Sequence, residues 1–185
     1  MLFRSGRVRP VAPGKTTIVA RDRATGIANV DGATEVRARA VSLSVEPSAP
    51  VLPERVRFPM RCYANRADGS RSDVTADATW ASSSANVTVG RQDPDKGVVQ
   101  GLVATEATID CSDPVRGLST VGASGAAVTI AGRLVGLSVE PDPFVVGIGE
   151  TRSAKAIGRL ANGGETSDLA DAVDWSIAPK SVATV

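Results

Sequence analysis

Histidine is absent from this 185-residue chain. That removes Ser-His-Asp and Cys-His catalysis, and with them every His-ligated metal site, from the segment. Aromatic residues are scarce: two Trp, one Tyr and three Phe. They are too few for the row of stacking platforms that single-stranded nucleic acid requires. Charge of one sign is not in excess, with 21 Lys and Arg against 20 Asp and Glu, so general polyanion binding is not expected. No stretch approaches the roughly 18 consecutive apolar residues of a membrane helix. Met1 to Arg7 carry positive charge but no apolar run of signal-peptide length follows, so an export signal is expected outside this segment. What is present is Gly (18), Pro (11) and 42% hydrophobic residues, enough for one or two domains with a real core.

The chain repeats itself. Val41-Ser-Leu-Ser-Val-Glu-Pro47 recurs as Val135-Gly-Leu-Ser-Val-Glu-Pro141, 94 residues later. At the same offset Arg66-Ala-Asp-Gly69 faces Leu160-Ala-Asn-Gly163, and after a one-residue gap Asp73-Val-Thr faces Asp168-Leu-Ala and Trp80 faces Trp175. A second match, at an offset of 91, links Gly6–Ile18 to Gly97–Ile109. A period of this size marks an array of similar units. It divides the chain into the back part of one unit (1–40), a complete unit (41–133) and the front part of a third (134–185).

Within a unit the periodicity is that of strands. Val41, Leu43 and Val45 alternate with small or polar residues, and Val56, Phe58, Met60, Cys62 and Ala64 form one apolar face of a second run. Pro59 puts that run at an edge or bulge, because it cannot donate to a ladder. Asp68-Gly69 and Asn162-Gly163 are turn signals. About seven short strands per unit predict an all-β Greek-key sandwich.

The run Leu-Ser-Val-Glu-Pro, Asp-Val-Thr, Thr-Trp-Ala-Ser-Ser, Val-Ala-Thr-Val and Gly-Lys-Thr-Thr-Ile resembles the group 2 bacterial immunoglobulin-like domains. Such repeats occur in invasin- and intimin-type adhesins and in other bacterial surface proteins. The resemblance covers essentially the whole chain. Unit two departs from the pattern at Asn86-Val-Thr-Val and Thr105-Glu106, whereas Gly14-Lys15 and Val182-Ala-Thr-Val185 keep it. The resemblance implies an immunoglobulin-like sandwich with no catalytic residues and no cofactor. It places Cys62 on the second strand, Cys111 on the sixth and Trp80 on the third, the arrangement of an inter-sheet disulfide packed on a buried Trp. The repeat equivalents, Ala156 for Cys62 and Ala20 for Cys111, read as small inward residues. Two buried free thiols are the alternative. A bridge implies an oxidising, extracellular or cell-surface location.

The other chemical candidates are weaker. Gly147-Ile-Gly149-Glu150 has part of a dinucleotide loop but reads as a turn. Asp93, Asp95, Asp110 and Asp113 offer oxygen ligands at no spacing that fits a calcium loop, so no metal is expected. Trp175, like Trp80, is expected in a core rather than on a sugar-stacking face. Lys180-Ser181 lacks an oxyanion hole, and Asn86-Val-Thr88 is a glycosylation sequon by letter.

The resulting expectation is a non-catalytic spacer or adhesive stalk, part of a longer array in a secreted or surface protein. An accessory region of a large exported enzyme is the alternative, with carbohydrate binding a third. The expected partners are other domains of a longer chain and a surface protein or glycan ligand. A further expected partner is a second copy, because 134–185 and 1–40 laid tail to head approximate one repeat and carry opposite net charge.

Overall fold

The computed structural model describes residues 14–28, 33–36, 39–122 and 124–178. Val182-Ala-Thr-Val185, Lys180-Ser181 and the segment 1–13 lie outside the described residues. Apart from a single 3-10 turn, the regular structure among the described residues is entirely β.

The first two strands, β1 (Gly14–Thr17) and β2 (Ala33–Val36), form an antiparallel pair. The sandwich that follows begins with β3 (Ala40–Glu46) and β4 (Val51–Leu52). It continues through β5 (Arg57–Pro59), β6 (Arg61–Arg66), β7 (Arg71–Asp73) and β8 (Thr79–Ser82). It ends with β9 (Val87–Val89), β10 (Val98–Gly101), β11 (Thr105–Asp113), β12 (Leu118–Ser119) and β13 (Ala126–Ile130). One sheet has the order β3-β6-β7, and a short one the order β5-β10-β9. The largest runs β12-β11-β13-β4, with β8 also paired to β11.

The strand count, eleven from β3 to β13, exceeds the seven expected: two expected strands each change sheet partway, and β7 and β12 are short strands beyond the expected set. The alternating run from Val56 to Ala64 breaks at Met60: β5 pairs with β10 in one sheet and β6 with β3 in another. Its apolar side stays continuous, with Phe58, Met60, Cys62 and Ala64 all buried. Pro59 lies on β5, an edge strand where a missing N–H is tolerated. The first strand divides too, β4 leaving β3 to pair in parallel with β13.

A second departure concerns Val41. The register of β3 on β6 shifts between Ala40 and Ser42, and a bulge turns the side chain it carries away from the alternating face. Val41 is therefore exposed while Leu43 and Val45 are buried. The core lies between facing sheets: Leu43, Val45 and Ala64 from one side, Ile109, Ala126, Val128 and Ile130 from the other.

The third segment repeats the first sheet. β14 (Leu134–Glu140), β15 (Lys155–Leu160) and β16 (Glu165–Asp168) form the order β14-β15-β16, followed by the 3-10 turn Ala170–Ala172. Every β14–β15 pair is a β3–β6 pair moved by 94 residues, from Leu134↔Leu160 to Glu140↔Lys155. Even the bulge recurs, between Leu134 and Gly136. Two sequences that differ at many positions thus build one strand pairing, because register follows the inward alternation and the turn.

Candidate functional site

Cys62 and Cys111 are joined by a disulfide, with Cα atoms 6.4 Å apart. It ties β6 to β11, one strand from each facing sheet. Closing a loop of 49 residues contributes about 4 kcal/mol on the chain-entropy view. Trp80 pairs directly with Cys111 in the β8–β11 register and is 1% exposed. Its indole N–H donates to the Thr75 carbonyl at 3.2 Å. The repeat has the same contact: Trp175 donates to the Ala170 carbonyl at 3.0 Å. Trp175 is only partly buried, however, and residues 174–177 form no strand. Of the alanines aligned with the cysteines, Ala156 is buried, whereas Ala20 is exposed and not inward as its alignment suggested.

The acidic candidates do not converge. Among the described residues no group of three or more acidic or cysteine side chains could hold a metal ion. Asp95 is paired with Arg57. Asp110 accepts the Thr120 hydroxyl at 2.8 Å. Asp113 accepts the Val115 and Arg116 backbone N–H groups at 3.0 and 3.1 Å and the Arg116 guanidinium. The hydrogen bond from Arg116 holds the Asp113 carboxyl below its ordinary value, outweighing the opposite pull of burial. Gly147–Glu150 is a turn: the Glu150 N–H donates to the Gly147 carbonyl, and its carboxylate accepts the Gly147 N–H. Asn86 is exposed before β9.

Two surface features stand out, and the first was not evident in the sequence. The first is a built junction between sandwich and third segment. Ala131-Gly132-Arg133 is pinned on both sides: the Glu54 N–H donates to the Gly132 carbonyl and the Ala161 N–H to that of Arg133. The Asn162 side-chain amide donates to the Ala131 carbonyl at 2.9 Å, and the Val51 N–H donates to the Ser167 hydroxyl at 2.8 Å. Leu169 and Ala156 belong to the same buried apolar cluster as Leu52 and Phe58, so the core crosses the joint. A cleft of about 330 Å³ at the seam is lined by Glu46, Pro59, Arg61, Tyr63, Asp168 and Asp171 among others. The signal in the sequence was weak: Ser167 sits where the one-residue gap interrupts the repeat.

The second feature is an open apolar face. Leu43 and Val45 are each 2% exposed, yet their equivalents Leu137 and Val139 are 55% and 47% exposed. Nearby Phe144, Val145, Val146 and Ile148 are also exposed. A groove of about 860 Å³ there includes Val139, Glu140, Phe144, Arg152 and Lys155 in its lining, and the Arg152 guanidinium lies 5.7 Å from the Phe144 ring centre.

No known family profile matches the chain. It is similar to "Ice-binding protein 1" of Shewanella frigidimarina (strain NCIMB 400), with 31% identity over 147 residues, covering 78% of this chain and 16% of the relative. The chain thus spans about a sixth of that protein's length. Among solved structures it is similar to the S-layer protein rSbsC(31-844), with TM-score 0.44, 15% identity and coverage of 86% of this chain and 21% of that one. Domains 5–6 of the same surface-layer protein give TM-score 0.41 and 14% identity over 73% of this chain and 69% of that one.

Proposed function

We propose that this segment is a non-catalytic spacer, built of group 2 bacterial immunoglobulin-like units, in a secreted or surface-displayed bacterial protein. The observation that carries the reading is the repeated strand register joined through a shared core. Units that repeat one strand pairing, with an apolar cluster running through the joint, hold whatever they connect at a fixed distance and angle. A disulfide between facing sheets suits an oxidising, extracellular setting. The match over 16% of an ice-binding protein's length supports a role as one segment of a longer chain, and we place ice contact outside this segment. Asp95, Asp110 and Asp113 are engaged in ion pairs and hydrogen bonds of their own rather than brought together, which also favours a mechanical role over a chemical one.

Two measurements on the chain test this. Small-angle X-ray scattering at low concentration should fit one fixed angle between the sandwich and the third segment, and a broad distribution of angles would overturn the spacer reading. The chain alone should neither lower the freezing point beyond its colligative effect nor inhibit ice recrystallisation. Activity in either assay would move ice contact into this segment.

A further inference from the structure

The turn that closes the β15–β16 hairpin lies against the joint. The Gly163 N–H donates to the Leu160 carbonyl at 2.9 Å, and the Leu160 N–H donates to the Gly164 carbonyl at 2.8 Å. Gly163, at φ +83°, is the left-handed residue that a three-residue hairpin loop requires. Asn162 precedes it. Its side-chain oxygen accepts the Gly164 N–H at 3.0 Å, and its side-chain nitrogen donates to the Ala131 carbonyl at 2.9 Å. One partner is a donor and the other an acceptor, which fixes the orientation of the amide. One end of that amide serves the turn, and the other end serves the joint.

Unit two separates these roles. Its turn has the same backbone bonds: the Gly69 N–H donates to the Arg66 carbonyl at 3.0 Å and the Arg66 N–H to the Ser70 carbonyl at 2.9 Å. Gly69 has φ +78°. The repeat places Asp68 where Asn162 stands, and the Asp68 carboxylate accepts the Ser70 N–H at 3.0 Å. A carboxylate therefore suffices for the turn. It has no proton to donate, so only the joint requires an amide. Asn162 is also the one Asn of the sequence followed by Gly, whereas Asn29, Asn65 and Asn86 precede Val30, Arg66 and Val87. A glycine carries no side chain to hinder approach of its nitrogen to the preceding Cγ, and its backbone reaches conformations closed to other residues.

We propose that Asn162 is a deamidation site whose modification releases the joint. The Gly163 nitrogen attacks the Asn162 Cγ, forming a five-membered imide. The Cγ–Nδ2 bond breaks, and Nδ2 leaves as ammonia with the proton that the Gly163 nitrogen gives up. Solvent water then opens the ring at either carbonyl, giving aspartate or isoaspartate. In the folded chain the Gly163 N–H and both ends of the amide are hydrogen-bonded, so ring closure proceeds from the transiently opened turn. An aspartate product keeps the turn, as Asp68 does, but sets an acceptor against the Ala131 carbonyl, and the pin across the joint is lost. Ammonia departs to solvent, so the change runs one way and accumulates with age. The proposal rests on the geometry of the joint and stands whether or not the segment is a spacer.

The full chain, incubated in warm, mildly alkaline buffer and mapped by mass spectrometry of its peptides, should show aspartate and isoaspartate at position 162 ahead of any change at Asn65 or Asn86. Reaction there should be faster in concentrated urea, where the turn no longer holds the Gly163 N–H. Asn162→Asp supplies the product with the turn intact. Amide exchange at Val51 and Ala161, whose N–H groups bridge the joint, should quicken about tenfold in that variant, with the β11 amides unchanged. Deamidation no faster at position 162 than at Asn65 and Asn86 would overturn the site, and an equal rate in urea would overturn its control by the turn. Unchanged exchange at Val51 and Ala161 would refute release of the joint. Equal acceleration in β11 would refute it too, since the effect would then be a general loss of stability.

Discussion

Trp80 and Trp175 occupy one repeat position and make one hydrogen bond, yet their surroundings differ. Trp80, on β8 opposite the disulfide-bonded Cys111, is fully buried, whereas Trp175 is partly exposed. Trp80→Ala should therefore cost about 3–5 kcal/mol in urea unfolding, and Trp175→Ala less than about 2 kcal/mol in the isolated chain; equal losses would mean that Trp175 is as enclosed as its partner. Asp113 gives the acid response. The Arg116 hydrogen bond holds its carboxyl below the ordinary aspartate range, so the ionised form is favoured in the folded chain. The resulting stability is present above the unfolded value and is lost as pH falls through the lower, folded one. Melting temperature should fall on acidification below about pH 4, and Asp113→Asn should flatten part of that slope. Apolar type was legible at this scale, and burial only in part. Val41 and Leu137 are as apolar as Leu43, but a bulge exposes one and an uncovered sheet face the other.

At the scale of elements, the corner at Met60 shows where strand reading fails. Alternation through Phe58, Met60, Cys62 and Ala64 was legible, since a continuous core demands a continuous apolar face. The change of sheet was not, because it depends on a partner distant in sequence: the Met60 N–H donates to the Gly97 carbonyl at 2.9 Å. Gly97 has φ +79°, and a Cβ there would lie 2.7 Å from the Met60 carbonyl oxygen and 3.1 Å from the Trp80 ring. Gly97→Ala should accordingly cost more than about 2 kcal/mol, combining the left-handed penalty with a backbone collision. Gly69, at φ +78° with open space around it, is the control. Gly69→Ala should cost about 1 kcal/mol, and chemical denaturation of both variants separates the two contributions. The register of β14 on β15 was legible in outline from the Leu-Ser-Val-Glu-Pro repeat, whereas the parallel pairing of β4 with β13 left no local mark.

Across the whole molecule, the joint is the feature least visible in the sequence. Its contacts use backbone carbonyls of Ala131, Gly132 and Arg133, and carbonyls carry no residue signature. Leu169→Ala should destabilise the joint by about 2–5 kcal/mol, and Ser167→Ala by about 1 kcal/mol through loss of its bond to the Val51 N–H. Faster amide exchange at Val51 and Leu52, with the β11 amides unchanged, would show that the joint opens on its own. Unchanged protection at Val51 in Leu169→Ala would contradict the shared core. That shared core has a thermodynamic consequence. Where neighbours bury part of each other's interior, a unit's folding equilibrium depends on whether the adjacent unit is folded. A row of such units behaves as a one-dimensional cooperative chain, in which unfolding begins at the ends and interior units melt last.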